Sequence, residues 1–257
     1  MTDRRITPDP DKSSRTDPAQ IAVSVADLCR TPYGPRDRQL IYGDTVTVLG
    51  DAGDWRYVQS AKDGYCGYIQ NQTLGPPQDA SHHICFPATH AYEAANFKSP
   101  DLISLSFGSR VTVTGAEGNF AQTPLGFIPY NHLKPLDAPY SDPAEVAACF
   151  LGTPYLWGGN SRWGIDCSGL VQAALLACGM PCPADSDQQQ LLGHATNETY
   201  QRNDLLFWKG HVAIVSDPQT ILHANAGAMS TVYEPIDDAI ARIEAQGDGP
   251  VTGHRRL

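Results

Sequence analysis

The feature that most constrains the fold is an approximate internal repeat. The runs Ile41-Tyr42-Gly43-Asp44-Thr45-Val46-Thr47-Val48-Leu49, Trp55-Arg56-Tyr57-Val58 and Gly64-Tyr65-Cys66-Gly67-Tyr68-Ile69 end at Leu74. They are echoed by Ser106-Phe107-Gly108-Ser109-Arg110-Val111-Thr112-Val113-Thr114, Asn119-Phe120-Ala121-Gln122 and Leu125-Gly126-Phe127-Ile128-Pro129, ending at Leu133. Each copy alternates β-branched and aromatic residues in short runs punctuated by glycine, which predicts a small antiparallel barrel. Pro76-Pro77 and the prolines from Pro135 to Pro143 mark boundaries. The expected organisation is a barrel over 20–77 and a second over 78–137. Residues 1–19, rich in Pro, Asp, Ser and Arg, read as a polar tail draped over the body.

From residue 138 to 257 the pattern changes to that of an α+β domain. Asp142-Pro143 opens a helix as N-cap and first helical residue, with Gly152 as its end. A second helix starts in Gly164-Ile165-Asp166-Cys167-Ser168-Gly169-Leu170-Val171 and stops at Gly179, with Pro181 behind it. Cys167 therefore lies in a first turn, where unpaired N–H groups and the helix dipole favour thiolate over thiol. Structural cysteines prefer apolar burial; this one lies between an acid and a hydroxyl, and reads as a nucleophile.

With 28 acidic against 18 basic residues the chain carries a formal charge of -10, which argues against nucleic acid or an anionic membrane as partner. A small molecule or peptide is expected instead. Met1 to Pro10 holds two arginines without an apolar run, so neither a signal peptide nor a spanning helix is read there, and a cytoplasmic location is expected. Seven cysteines without regular spacing suit free thiols in a reducing compartment. Cys178 and Cys182 have no second ligand pair after them, so no metal site and no cofactor are expected.

A cysteine nucleophile needs a base. Of eight histidines, His82, His83, His90 and His132 fall in the barrel segments, His194 in a polar loop and His254 in a basic terminal stretch. His211 and His223 differ, being embedded in the strand-like runs His211-Val212-Ala213-Ile214-Val215 and Thr220-Ile221-Leu222-His223-Ala224 around the turn Ser216-Asp217-Pro218-Gln219. In an odd-loop register the two histidines face each other on one side of the sheet; an even loop separates them. The odd register is expected, with one imidazole bonding the other.

Thr153-Pro154-Tyr155-Leu156-Trp157-Gly158-Gly159, Asp166-Cys167-Ser168-Gly169-Leu170-Val171, Asn203-Asp204-Leu205-Leu206-Phe207-Trp208 and Gly210-His211-Val212-Ala213-Ile214-Val215 occur in the order seen in the NlpC family of papain-like peptidases, which cut bacterial cell-wall peptides. The resemblance covers residues 140 to about 236. It implies a catalytic triad of Cys167, His211 and His223, on a helix packed against an antiparallel sheet. The repeat ahead of it resembles bacterial SH3-like domains, and the whole is similar to cytoplasmic γ-D-glutamyl-L-diamino acid endopeptidases that process muropeptides with a free N-terminal L-Ala.

That resemblance implies further roles. Tyr155 and the Cys167 N–H would face the oxyanion, although Tyr155 and Trp157 also read as core aromatics. Asp166 and Ser168 are candidates for substrate contact as well as helix capping. Asp185 and Ser186 match the pair that meets the substrate amine, with Ala184 where the family usually has Arg; capping the following helix is the alternative. Asp44 and Tyr65 would close the cleft, or serve as a turn acid and a core tyrosine. The expected partner is a short muropeptide bound by a monomer. An amidase or acyltransferase on the same site, and a non-catalytic peptidoglycan-binding protein, are the rivals.

Overall fold

The computed structural model describes residues 3–257. The chain forms two compact units, one up to Pro139 and one from Tyr140 onward.

The first unit is built of β1 (Asp17–Ile21), β2 (Val25–Cys29), β3 (Arg36–Ile41), β4 (Thr45–Ala52), β5 (Trp55–Ser60), β6 (Cys66–Gln70) and β7 (Leu74–Gly75). There follow β8 (His82–Ile84), β9 (Ala88–Tyr92), β10 (Asp101–Ser106), β11 (Arg110–Val111), β12 (Gly115–Glu117), β13 (Phe120–Thr123), β14 (Gly126–Pro129) and β15 (Leu133–Pro135). The first copy is one sheet ordered β3-β2-β6-β5-β4-β1-β7. The second gives β10-β9-β14-β13-β12 and, separately, β11-β8-β15. Strand for strand the order is the same, so the repeat read from sequence is a repeat of topology. The difference lies at β4, which serves both halves of its sheet as one strand. Its counterpart breaks at Thr112-Val113-Thr114, where the Thr112 and Thr114 hydroxyls donate to the carbonyls of Asp79 and Gln122, a local alternative to the ladder.

The first copy has its own buried cluster of Leu49, Trp55, Tyr57 and Tyr68, and the two copies meet within one compact unit. Tyr42 of the first packs among Ile84, Leu105, Val111 and Leu133 of the second, and the Arg110 N–H donates to the Tyr42 carbonyl at 3.1 Å. Gly43 (φ +82°) makes this approach possible, because a Cβ there would lie 2.3 Å from the Arg110 carbonyl oxygen. The expected tail of residues 1–19 is corrected in part. Met1 and Thr2 lie outside the described residues, but Asp17 already begins β1, which pairs antiparallel with β4. Ahead of it the chain does drape over the first sheet: the Cys66 N–H donates to the Arg5 carbonyl, and the Asp9 N–H to the Tyr57 hydroxyl at 3.0 Å. Hydrogen bonds and the ion pairs Arg4–Asp37 and Arg15–Asp51, not apolar burial, hold this polar segment.

In the second unit α1 (Pro143–Ala148) is capped by Asp142, which accepts from the N–H groups of Ala144 and Glu145. It ends at Cys149, a turn earlier than Gly152. A short hairpin, β16 (Asn160–Ser161) and β17 (Gly164–Ile165), leads into α2 (Cys167–Ala177). After α3 (Ser186–Gln189) come β18 (His194–Ala195), β19 (Leu205–Trp208), β20 (His211–Asp217), β21 (Thr220–Asn225), β22 (Ser230–Pro235), α4 (Ile236–Ala245) and β23 (Gly253–Arg256). The sheet order is β18-β23-β19-β20-β21-β22. All of β19 and most of β20 are buried, so the sheet centre is covered on both faces. Ile236, Ala239 and Ile243 of α4 pack on Leu206, Ala213, Val215 and Ile221, while α1 and α2 pack on β20 and β21. Among the described residues no helix is long and apolar enough to cross a membrane.

Candidate active site

Cys167 is the first residue of α2. Its position is fixed by Asp166, the N-cap, whose Oδ1 accepts from the Gly169 N–H at 2.7 Å and the Ser168 hydroxyl at 3.2 Å. The Oδ2 atom of Asp166 accepts from the Gly158 N–H at 2.8 Å, so one buried carboxylate ties the nucleophile turn to the Trp157-Gly158 loop. The Cys167 Sγ lies 4.0 Å from the carbonyl oxygen of Gly210, the residue before His211. That contact brings the start of α2 to the start of β20.

The histidine pair forms, in a register shifted from the expected one. Ile214 pairs with Leu222 and Val215 with Ile221, and a bulge at Ser216 precedes the pairing of Asp217 with Thr220. Continued along the strands, this register sets His223 opposite Ala213. His211 and His223 are therefore diagonal neighbours on one face, not directly opposed. Side chains of this length reach across a diagonal, and His211 Nε2 lies 2.9 Å from His223 Nδ1. Burial, reinforced by His223, pushes the His211 imidazole below its ordinary range. Burial does the same to His223, with Glu234 opposing. Both rings are neutral near neutral pH, so each has one donor and one acceptor nitrogen. With Nε2 turned to His223, the ring nitrogen left to His211 for other chemistry is Nδ1.

The remaining expected residues divide. Tyr155 is partly buried, and its hydroxyl is pushed up by burial and by the charges of Cys167 and Asp166, so it stays protonated as a donor. Its N–H donates to the Met229 carbonyl at 3.0 Å. Trp157 is 69% exposed and is not a core aromatic. Ser168 is buried against Asp166. Asp185 stands at the N-cap of α3, but its side chain makes no cap hydrogen bond there; Asp185 and Ser186 are both partly exposed. In the first unit Asp44 accepts from the Ile41 N–H at 3.0 Å and from Lys62 Nζ at 2.7 Å, and Tyr65 is buried. All seven cysteines are free thiols. Among the described residues no cluster of three metal-ligating side chains is present.

Sequence reading missed several residues that support this site. Gln189, fully buried, donates to the carbonyls of Ser168 and Pro183 at 2.9 Å each, and Gln172 donates to the Cys182 carbonyl at 3.2 Å. These amides pin the Cys182–Ser186 segment onto α2. Behind the histidines, His223 Nε2 lies 2.9 Å from Glu234 Oε2 and 2.9 Å from Asn225 Nδ2. Glu234 is in turn clasped by Arg242, Nε to Oε1 at 2.8 Å and a terminal nitrogen to Oε2 at 2.7 Å. The strand pattern offered one clue: Val232 pairs with His223 in β22, so Glu234 lies on the same face two residues on.

Comparison with known proteins agrees with this geometry. Residues 152–242 match the NlpC/P60 family model, and residues 28–74 match the bacterial dipeptidyl-peptidase SH3 domain. Dipeptidyl-peptidase 6 of Lysinibacillus sphaericus is 28% identical over 230 residues, covering 78% of this chain and 84% of that one. The γ-D-glutamyl-L-lysine dipeptidyl-peptidase of Bacillus subtilis (strain 168) is 30% identical over 189 residues, covering 66% of this chain and 63% of that protein. Among solved structures, an NlpC/P60 family protein from Bacillus cereus ATCC 10987 superposes with a TM-score of 0.78 at 21% identity, covering 93% of this chain and 99% of that one. That likeness shows a common fold.

Proposed function

The chain is an NlpC/P60 cysteine peptidase with a dipeptidyl-peptidase SH3 domain ahead of its catalytic domain, and from that premise we propose that it hydrolyses the bond between γ-D-Glu and an L-diamino acid in peptidoglycan-derived peptides carrying a free N-terminal L-Ala. The relatives' names support the bond. The observation that carries the chemistry is the coupled pair His211–His223, at 2.9 Å, next to the residue whose carbonyl the Cys167 thiol meets.

In this reading His211 Nδ1 takes the Cys167 proton as the sulfur attacks the γ-carbonyl carbon. The helix start alone favours thiolate over thiol. Burial opposes a standing charge on His211, so the proton moves as the bond forms. The oxyanion is met by the Cys167 N–H and the Tyr155 hydroxyl. The C–N bond then breaks, and the leaving amine takes the proton from His211. Water, deprotonated by the same ring, hydrolyses the thioester and releases L-Ala-γ-D-Glu.

Asp185 and Ser186 hold the L-Ala ammonium, since a buried ammonium needs an anionic partner, and Trp157 supplies an exposed face beside the site. Asp166 and Ser168 act on substrate only through the turn that they build. The second β-rich copy is a second SH3-like domain, and the substrate is a short free peptide. The substrate is then a released wall peptide being recycled, and the enzyme acts in the cytoplasm as a monomer.

The test is incubation of L-Ala-γ-D-Glu-L-Lys, its diaminopimelate analogue and their N-acetylated forms with the wild-type protein, following L-Ala-γ-D-Glu by mass spectrometry. Cleavage of the free-amine peptides alone is expected. No cleavage across pH 5–9 overturns the reading, and cleavage of acetylated peptides removes the amine-binding role.

A further inference from the structure

The two neighbours of His223 Nε2 make opposite demands on it. Asn225 presents an amide nitrogen at 2.9 Å, and its orientation is set because its own Oδ1 accepts from the Ala228 N–H at 2.7 Å. An N–H donor wants a lone pair on Nε2. Glu234 presents a carboxylate oxygen at the same distance, and that acceptor wants a proton on Nε2. Only one demand can be met, because a neutral imidazole carries one proton.

The choice propagates to the site. If Nε2 keeps the lone pair, His223 Nδ1 is the donor, so His211 Nε2 must accept and His211 Nδ1 carries a proton. The nitrogen that should take the cysteine proton is then blocked. If Nε2 carries the proton, His223 Nδ1 accepts from His211 Nε2–H, and His211 Nδ1 is open as a base. Glu234 decides between the two. Arg242 and His223 hold its carboxyl ionised, below the usual range, and a charge-assisted bond outweighs a neutral amide contact.

We infer that Glu234, clasped by Arg242, is a positioning residue that fixes the proton on His223 Nε2 against the competing Asn225 amide, and so leaves His211 Nδ1 unprotonated for catalysis. The inference rests on the reading of Cys167 and His211 as nucleophile and base, and extends it to residues that touch neither substrate nor sulfur.

The direct test is long-range 1H–15N correlation of histidine side chains in Cys167→Ala protein, which reports tautomers whether or not any peptide is cleaved. His211 and His223 are both expected as Nε2–H tautomers at pH 7.5. In Glu234→Gln, Arg242 draws the remaining carbonyl oxygen and the new amide turns toward His223, so both rings are expected to switch to Nδ1–H. With Cys167 present, Glu234→Gln should lower kcat by on the order of 10²-fold, since enforcing a wrong histidine tautomer costs up to ~10⁴ in the Ser-His-Asp triad of serine proteases, and leave KM nearly unchanged. Adding Asn225→Asp keeps the acceptor for the Ala228 N–H and replaces the competing donor by a carboxylate. The double variant should regain the Nε2–H tautomers and most of kcat.

A merely structural Glu234 would lose activity with the tautomers unmoved, and Asn225→Asp would not restore it. Either result overturns the inference, as does an Nδ1–H His223 in the wild-type spectrum. If instead the wild type cleaves no tripeptide while the tautomers behave as described, the proposed function fails and the tautomer control stands.

Discussion

The two ends of α2 each carry a cysteine, and they are opposite environments for the same side chain. Cys167 is the first helical residue, with Asp166 capping and Gly158 drawn in beside it. Cys178 is the C-cap, its N–H bonded to the carbonyls of Ala174, Leu175 and Leu176. Burial, helped by the Asp142 charge, pushes the Cys178 thiol up to about 11. The N-terminal end presents backbone donors and the positive end of the dipole, the C-terminal end carbonyls and the negative end. Between these two thiols, the end of the helix that each occupies adds to the burial and the Asp142 charge that already hold Cys178 protonated.

The largest effect expected from breaking the comparison is on turnover. Cys167→Ala should cut tripeptide cleavage by on the order of 10⁴-fold or more, as loss of a nucleophile does, whereas Cys178→Ala should leave kcat/KM within about twofold, since it touches no catalytic group. Alkylation sharpens it further. A thiol pushed up to about 11 is only about one part in 10³ thiolate at pH 8, and the thiolate fraction grows as pH rises. Iodoacetamide, followed by peptide mapping, should therefore modify Cys178 only as the solution becomes strongly alkaline, and Cys167 already at neutral pH, where His211 takes the proton as the sulfur–carbon bond forms.

The stability of the two ends gives smaller effects. Asp166→Ala removes the N-cap and leaves the buried Gly158 N–H unpaired, a loss of about 2 kcal/mol read from urea midpoints. At the other end Gly179 stands at φ +74°. Gly179→Ala should cost about 1 kcal/mol from backbone strain alone and leave kcat unchanged.

The same contrast explains what the sequence disclosed. The start of α2 was legible because an acid, a cysteine, a hydroxyl and a glycine precede a run that can only be a buried helix. The histidine pair was legible as a hairpin, but its register was not. The two-residue turn that pairs Asp217 with Thr220 would by itself set the two rings on opposite faces; the bulge at Ser216 shifts the pairing by one residue and brings them to one face, and nothing in the apolar run marks it. The repeat was legible from its glycine turns, while the split at Thr112–Thr114 depends on hydroxyl bonds to distant carbonyls. Strand alternation puts Glu234 on the face of Val232, but nothing in the sequence joins it to Arg242. Their meeting depends on α4 folding back directly from the end of β22, and in the sequence they are two charges eight residues apart.

The central claim is tested most directly by trapping the covalent intermediate. Rapid acid quench of the enzyme with excess L-Ala-γ-D-Glu-L-Lys, followed by peptide mapping by mass spectrometry, should find the L-Ala-γ-D-Glu acyl group as a thioester on Cys167, absent from Cys167→Ala and retained in Cys178→Ala. An acyl group on any other residue, or cleavage that survives in Cys167→Ala, would contradict it.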